Sequence, residues 1–303
     1  MLSKIILAQE RLSDYLYPTL LEYAPGINAW LKLENTNITH SFKIRGALNA
    51  ILSLDHTSGI VTASSGNHAQ GVAYAAYLTQ TPAKILMPAH TPQRKIDGVR
   101  RYGAQALADY PNYDEAELAA RRMEREEGMT FISPYNDLRV VAGAGTIGLE
   151  ILTQKPDVER IIVCVGGGGL ISGMSAAVKL QKPDVEIIGV NAQSAPAMTN
   201  AFYGTHHPEV WETLAEALSG AIEANSVTLD LAKQYVDKMV MVTESQIASA
   251  MRWMIDHAGW LVEGGGAVGV AAVLHQVIEP KPNTVIVISG GNVDGDTIRQ
   301  ILA

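Results

Sequence analysis

A single cysteine, Cys164, stands in a chain of 303 residues. It has no partner for an intramolecular disulfide, so a reducing compartment is expected. Basic residues are scarce: Lys and Arg number 23 against 31 Asp and Glu, a formal net charge of -8. Such a surface argues against nucleic acid as a partner, because a phosphate backbone needs a basic face. No apolar run is long enough to span a bilayer, and no membrane partner is expected. The N-terminus, MLSKIILAQERLSDY, turns polar after too few apolar residues for a secretory leader. A cytoplasmic location is therefore expected. Internal repeats, low-complexity tracts and Gly/Ser linkers are missing as well, so composition marks no domain boundary. No metal is expected either: His206 and His207 precede Pro208 without a suitably spaced third ligand.

What is present is globular. Hydrophobic residues make up 47% and charged residues 18%, and the length suits two ordinary domains. Short β-branched runs at 59–63, 83–87, 160–165, 186–190, 238–242 and 283–288 read as strands. Several are apolar throughout, as strands covered on both faces are. Between them lie helix-period segments at 66–79, 113–127, 170–180, 245–257 and 267–277. Alternation of this kind predicts crossover units and parallel sheets, with more units than one small sheet needs.

Four stretches stand out. In the first, an apolar strand runs into Gly166, Gly167, Gly168 and Gly169 and then into a helix beginning near Leu170. Free N–H groups and the positive helix end suit a phosphate. No Gly-Lys-Ser/Thr follows, which excludes a Walker loop. A dinucleotide fingerprint would put its third glycine at Ile171, and the next strand ends at Asn191 and Gln193, without the ribose-binding acid. One terminal phosphate fits best; a tight turn without ligand is the alternative. The second stretch, ASSGNHAQGVAYAA, brings Ser64, Ser65, Asn67 and His68 to a helix start, where they suit either a carboxylate or plain capping. In the third, THSFKIRGALNA, Lys43 begins a helix beside Phe42; alone it reads as a solvated charge. In the fourth, VIVISGGNVD, Ser289 ends a buried strand, a position open α/β sheets use for ligands. Glu263 precedes another glycine-rich turn, Gly264 to Gly266. Cys164, inside an apolar strand, reads as a small core residue.

Together these stretches resemble the fold-type II enzymes that use pyridoxal 5′-phosphate (PLP), and within them the threonine/serine dehydratase and serine racemase family. The likeness is carried by Ser41-Phe42-Lys43-Ile44-Arg45-Gly46-Ala47, Ser64-Ser65-Gly66-Asn67-His68, Gly166 to Gly169 with Leu170, and Ser289-Gly290-Gly291-Asn292. It implies a tryptophan synthase β-like fold of two open α/β domains with mainly parallel sheets. The large domain would comprise residues 1–48 plus 139–303, and the inserted small domain residues 49–138. It implies a homo-oligomer. It also implies roles. Lys43 would carry PLP covalently and move the Cα proton. Phe42 would pack on the pyridine ring, Asn67 would bond the ring hydroxyl and Ser289 the ring nitrogen. Gly166, Gly167, Gly168, Gly169 and the Leu170 N–H would hold the phosphate. Ser64, Ser65, Asn67 and His68 would take the substrate carboxylate, with Ser65 a second acid/base opposite Lys43. Tyr135, in Ser133-Pro134-Tyr135-Asn136, would form part of the substrate pocket. Where related racemases hold a divalent cation, this chain has Asn191 and Ala197, so none is expected there.

The activity implied is a lyase: loss of the β-hydroxyl of an amino acid such as L-threonine or L-serine, giving a 2-oxo acid and ammonia. A racemase on the same scaffold is the main alternative. Ala144 within Gly143-Ala144-Gly145-Thr146, and the glycines after Glu263, depart from the usual pattern and bear on the choice of substrate. Cysteine-forming β-replacement and a nucleotide-dependent oxidoreductase fit less well, the second for want of the ribose acid.

Overall fold

The computed structural model describes residues 1–303. The aliphatic runs form ten strands. The first five are β1 (Leu21–Ala24), β2 (Ala29–Leu33), β3 (Ile60–Ala63), β4 (Ala83–Pro88) and β5 (Gln105–Tyr110). The others are β6 (Thr130–Phe131), β7 (Arg160–Cys164), β8 (Glu186–Ala192), β9 (Lys238–Val242) and β10 (Thr284–Ile288). They make a six-stranded sheet, ordered β1-β2-β10-β7-β8-β9, and a four-stranded sheet, ordered β5-β4-β3-β6. All pairings are parallel except β1 with β2 at the edge of the larger sheet. The expected two-sheet, mainly parallel α/β architecture is thus borne out.

The strands apolar throughout lie where both faces are covered. Every residue of β7 and of β10 is buried. Each fully buried Val or Ile contributes about 1.5–3 kcal/mol, so these two strands anchor the larger sheet. The edge strands β1, β5 and β6 carry weaker patterns and, with β2 between β1 and β10, were not expected from the sequence.

Two helices differ from expectation. Gly264 to Gly266 form no turn; they are the first turn of the helix Gly264–Leu274. A Cβ on Gly264 would lie 2.1 Å from the Leu214 carbonyl oxygen, so close backbone approach explains the glycine. The helix Leu138–Gln154 contains the Gly143-Ala144-Gly145 stretch and crosses the helix Gly169–Lys179. There a Cβ on Gly173 would sit 2.1 Å from the Val141 carbonyl oxygen. Each helical glycine costs about 1 kcal/mol in propensity, which the tight crossing offsets.

A charged cluster lies within this core. Arg45 reaches Glu34 at 2.7 Å and Glu150 at 2.6 Å, and Lys32 reaches Glu150 at 2.5 Å. Burial opposes the charge on Arg45, but Glu34 and Glu150 hold it above the ordinary arginine value. Thr19 and Asn37 donate further hydrogen bonds to Glu34. The helix Lys43–Leu52 thereby has its first turn tied to β2 and to the helix Leu138–Gln154.

Candidate active site

Parallel pairing decides what meets here. Strands β2, β10 and β7 lie side by side, so their carboxyl ends open at one edge of the larger sheet. β2 leads to Lys43, β10 to Ser289, and β7 to the glycine stretch. Two bonds stitch the first pair together: Phe42 N–H donates to the Ser289 carbonyl at 3.0 Å, and Gly291 N–H to the His40 carbonyl at 2.9 Å. From the smaller sheet, β3 leads to Ser64 and β6 leads to Ser133 and Tyr135. Ligands in open α/β sheets gather at such strand ends.

Lys43 is half-buried, and its Nζ donates to the Pro134 carbonyl oxygen at 2.9 Å. The amine also stands 5.3 Å from the centroid of the Phe42 ring. Burial lowers its pKa to about 8, against the opposing pull of Cys164 and Glu263. A lysine that is partly neutral near pH 8 is a competent nucleophile toward an aldehyde. The surface-charge reading of Lys43 therefore fails.

Gly168, at φ +86°, caps the helix Gly169–Lys179. The N–H groups of Gly166, Gly167, Gly168, Gly169, Leu170 and Ile171 make no hydrogen bond within the chain. Successive free donors at a helix start, with the positive dipole end behind them, form a cradle for a phosphate dianion. A Cβ on Gly167 would fall 2.4 Å from the Tyr135 ring, and one on Gly169 3.2 Å from the Tyr135 Cα. Tyr135 thus walls the cradle. Its hydroxyl accepts from the Glu223 N–H at 3.0 Å, so the phenol ties down the 221–223 segment.

Asn67 begins the helix Asn67–Thr79. Its Nδ2 donates to Glu263 Oε1 at 2.7 Å, and its Oδ1 accepts from Asn292 Nδ2 at 2.8 Å. Ser289 is buried beside the Cys164 thiol, whose pKa burial pushes up to about 11. Ser64 Oγ accepts from the Gly66 N–H at 3.2 Å.

His68 is engaged through one ring nitrogen. Its Nε2 lies 3.1 Å from Thr62 Oγ1 and 3.0 Å from the Ile132 carbonyl oxygen. Burial, with Lys43 nearby, lowers its pKa to about 3, so it stays neutral. The imidazole braces β3 against the residues after β6, and its Nε2 is not available to a substrate carboxylate. Asn191 is also committed, donating to the Val165 and Ala195 carbonyls and accepting from Thr199.

A profile described as pyridoxal-phosphate dependent enzyme matches residues 12–290. The chain belongs to this family. Among curated relatives of this PLP-dependent chain, the L-threonine ammonia-lyase of Thermotoga maritima is 43% identical over 306 residues, spanning 97% of this chain and 76% of that one. Among solved structures, a processed threonine deaminase isoform from Solanum lycopersicum superposes with a TM-score of 0.92 at 32% identity, covering 99% of this chain and 86% of that one. Maize serine racemase gives a TM-score of 0.91 at 31% identity, covering 99% and 96%. The residues present fit PLP: a cradle of six free N–H groups for its phosphate and a desolvated amine for its aldehyde.

Sequence reasoning missed three contributors. Leu218 packs over Gly166, whose added Cβ would lie 3.0 Å from the Leu218 Cα. Thr228 Oγ1 donates to the Gly167 carbonyl at 2.7 Å and fixes the cradle. Glu263 carried one weak signal, its place before three glycines, but its contact with Asn67 spans 196 residues of chain.

Proposed function

We propose that this PLP-dependent enzyme is an ammonia-lyase of a β-hydroxy amino acid such as L-threonine or L-serine, yielding a 2-oxo acid and ammonia. The names of its relatives support the reaction class. The observation that carries the reading is the desolvated Lys43 amine, held by the carbonyl of Pro134, next in sequence to the Tyr135 that walls the glycine cradle, and free of any carboxylate salt bridge.

In this reading the N–H groups from Gly166 to Leu170 hold the cofactor phosphate. Phe42 packs on its ring, Asn67 bonds the ring hydroxyl, and Ser289 meets the ring nitrogen. Bound PLP supplies an electron sink for the Cα–H bond electrons. Lys43 Nζ takes the Cα proton. Ser64, Ser65 and the backbone N–H groups at the start of the Asn67 helix receive the substrate carboxylate. Tyr135 and Leu218 close the site to water. A hydroxyl at Ser289 cannot fix a proton on the ring nitrogen as a carboxylate would. A site of this kind would suit loss of the β-hydroxyl better than chemistry that must store the Cα electrons.

We also propose the division into residues 1–48 plus 139–303 and residues 49–138. The first boundary falls inside the helix Lys43–Leu52, whose Ile44, Ala47 and Leu48 share a core with Ile60, Val72 and Ile85 of the smaller unit. The enzyme is read as cytoplasmic and as a homo-oligomer; light scattering of the purified protein tests the oligomer.

One experiment tests the function. The purified protein is loaded with PLP and given L-threonine, L-serine and D-serine, with 2-oxo acid and the opposite isomer both measured. Keto acid from an L-substrate as the main product supports the lyase. Predominant conversion of L-serine to D-serine would replace it by a racemase.

A further inference from the structure

One buried carboxylate at the site has no role in the reading above. Glu263 lies at the amino end of the helix Gly264–Leu274 but makes no side-chain cap there. It reaches instead across to Asn67, on the opposite sheet's first helix, at 2.7 Å. The polarity of this contact follows from the far end of a chain of bonds. The Thr39 carbonyl can only accept, and Asn292 Nδ2 donates to it at 2.9 Å. The same Nδ2 donates to Asn67 Oδ1 at 2.8 Å. The Asn67 amide must therefore turn its nitrogen toward Glu263, and Glu263 Oε1 must accept. Flipping that amide would break both bonds and set two donors against each other. An amide nitrogen carries two hydrogens, and Glu263 uses one. The second remains uncommitted in direction-fixed form.

We propose that Glu263 is a positioning residue: it locks the Asn67 amide so that the spare N–H is held ready for an anionic oxygen on the PLP ring. The close packing around the carboxylate agrees with a fixed geometry. A Cβ on Gly290 would come within 2.6 Å of Glu263 Oε1. The inference rests on the lyase reading only in placing PLP in this cleft; it does not depend on which substrate reacts. Glu263 acts through Asn67 and touches no reacting atom in this scheme.

The test reads cofactor binding and spectrum without substrate. PLP dissociation and the absorption maximum of the bound cofactor are measured for wild type, Glu263→Gln, Glu263→Leu, Asn67→Ala and the double variant Glu263→Leu/Asn67→Ala. Glutamine keeps an accepting oxygen, so its affinity should stay within about threefold of wild type and its maximum unchanged. Leucine removes the acceptor; affinity should fall about tenfold or more, with a shifted maximum. In the double variant the loss should not exceed that of Asn67→Ala alone, since both changes remove one arrangement. Additive losses would overturn the proposal, as would a Glu263→Gln protein as impaired as Glu263→Leu. If Glu263→Leu does not fold, Asn292→Ala takes its place, because it frees the other end of the amide. An unshifted maximum there would also overturn the proposal. Tight PLP binding with no keto acid would sink the lyase reading and leave this inference standing.

Discussion

Lys43 Nζ is held by the Pro134 carbonyl oxygen at 2.9 Å, a neutral acceptor rather than a carboxylate. Lys32, fully buried, meets Glu150 at 2.5 Å; burial lowers its pKa too, but Glu34 and Glu150 pull the other way. The difference separates a structural lysine from a reactive one. Lys43 carries the cost of desolvation without a carboxylate in salt-bridge contact, and its pKa falls to about 8.

Capture of PLP by the cofactor-free protein should therefore track the neutral amine. An ordinary lysine with a pKa of about 10.4 would be only roughly 0.4% neutral at pH 8. At a pKa of about 8 half the amine is neutral there. The capture rate should rise from pH 6.5 and level off above pH 8 to 8.5. Stopped-flow absorbance measures it, and a rate still climbing tenfold per unit beyond pH 9 would contradict the assignment. Borohydride followed by peptide mapping should place the label on Lys43, and Lys43→Ala should abolish turnover.

The buried charge cluster yields a stability prediction. Replacing Arg45 by methionine leaves the fully buried Glu34 without a paired cation and Glu150 with Lys32 alone. Removing one partner of a buried pair costs about 3–5 kcal/mol. The exposed pair Lys84 and Glu127, at 2.6 Å with both side chains at least 30% exposed, should matter little. Lys84→Met is expected to cost under about 1 kcal/mol. Urea unfolding of both variants makes the comparison. Equal shifts would mean that the cluster adds nothing to the fold.

Much of the scaffold was legible in the residues. Runs such as Thr284–Ile288 are apolar at every position because both faces are covered, so they announce themselves. Strand β6, two residues long, and β1, at an exposed edge, lack such a pattern. The glycines from 264 to 266 read as a turn because the reason for them, the Leu214 backbone, lies some fifty residues away in sequence. The site divided in the same way. The glycine cradle is local and visible. Pro134, Leu218 and Thr228 join it through tertiary packing alone. His68 sits in the expected motif, yet its ring turns toward Thr62, a direction no motif encodes.

Two glycine substitutions should separate binding from folding. In Gly167→Ala the new methyl meets the Tyr135 ring, a side chain that can swing. Such a shift should weaken PLP binding about tenfold, roughly 1.4 kcal/mol, with little change in unfolding midpoint. In Gly264→Ala the methyl meets backbone at Leu214, which cannot swing. Overpacking of that kind costs about 1–3 kcal/mol. Thermal melts and PLP titration of both proteins decide it. A Gly167→Ala protein that binds PLP normally would mean that Tyr135 does not wall the cradle.

Ser65 offers the means of dividing elimination from racemisation. Ser64 Oγ accepts from the Gly66 N–H, which orients it, while the Ser65 hydroxyl makes no hydrogen bond within the chain. Inverting Cα requires acid/base groups on both faces, and Lys43 supplies one. A lone hydroxyl is a weak base, and loss of the β-hydroxyl competes for the same electrons. Elimination should therefore dominate for L-substrates, with racemisation a minor product, while D-substrates depend on Ser65. Ser65→Ala is expected to retain most keto-acid formation from L-serine and to lose D-serine turnover by more than about tenfold, some 1.4 kcal/mol in transition-state stabilisation. Chiral chromatography of both reactions provides the measurement. Unchanged D-serine turnover in the variant would remove Ser65 from the second face. Loss of both reactions in parallel would instead assign it to carboxylate binding.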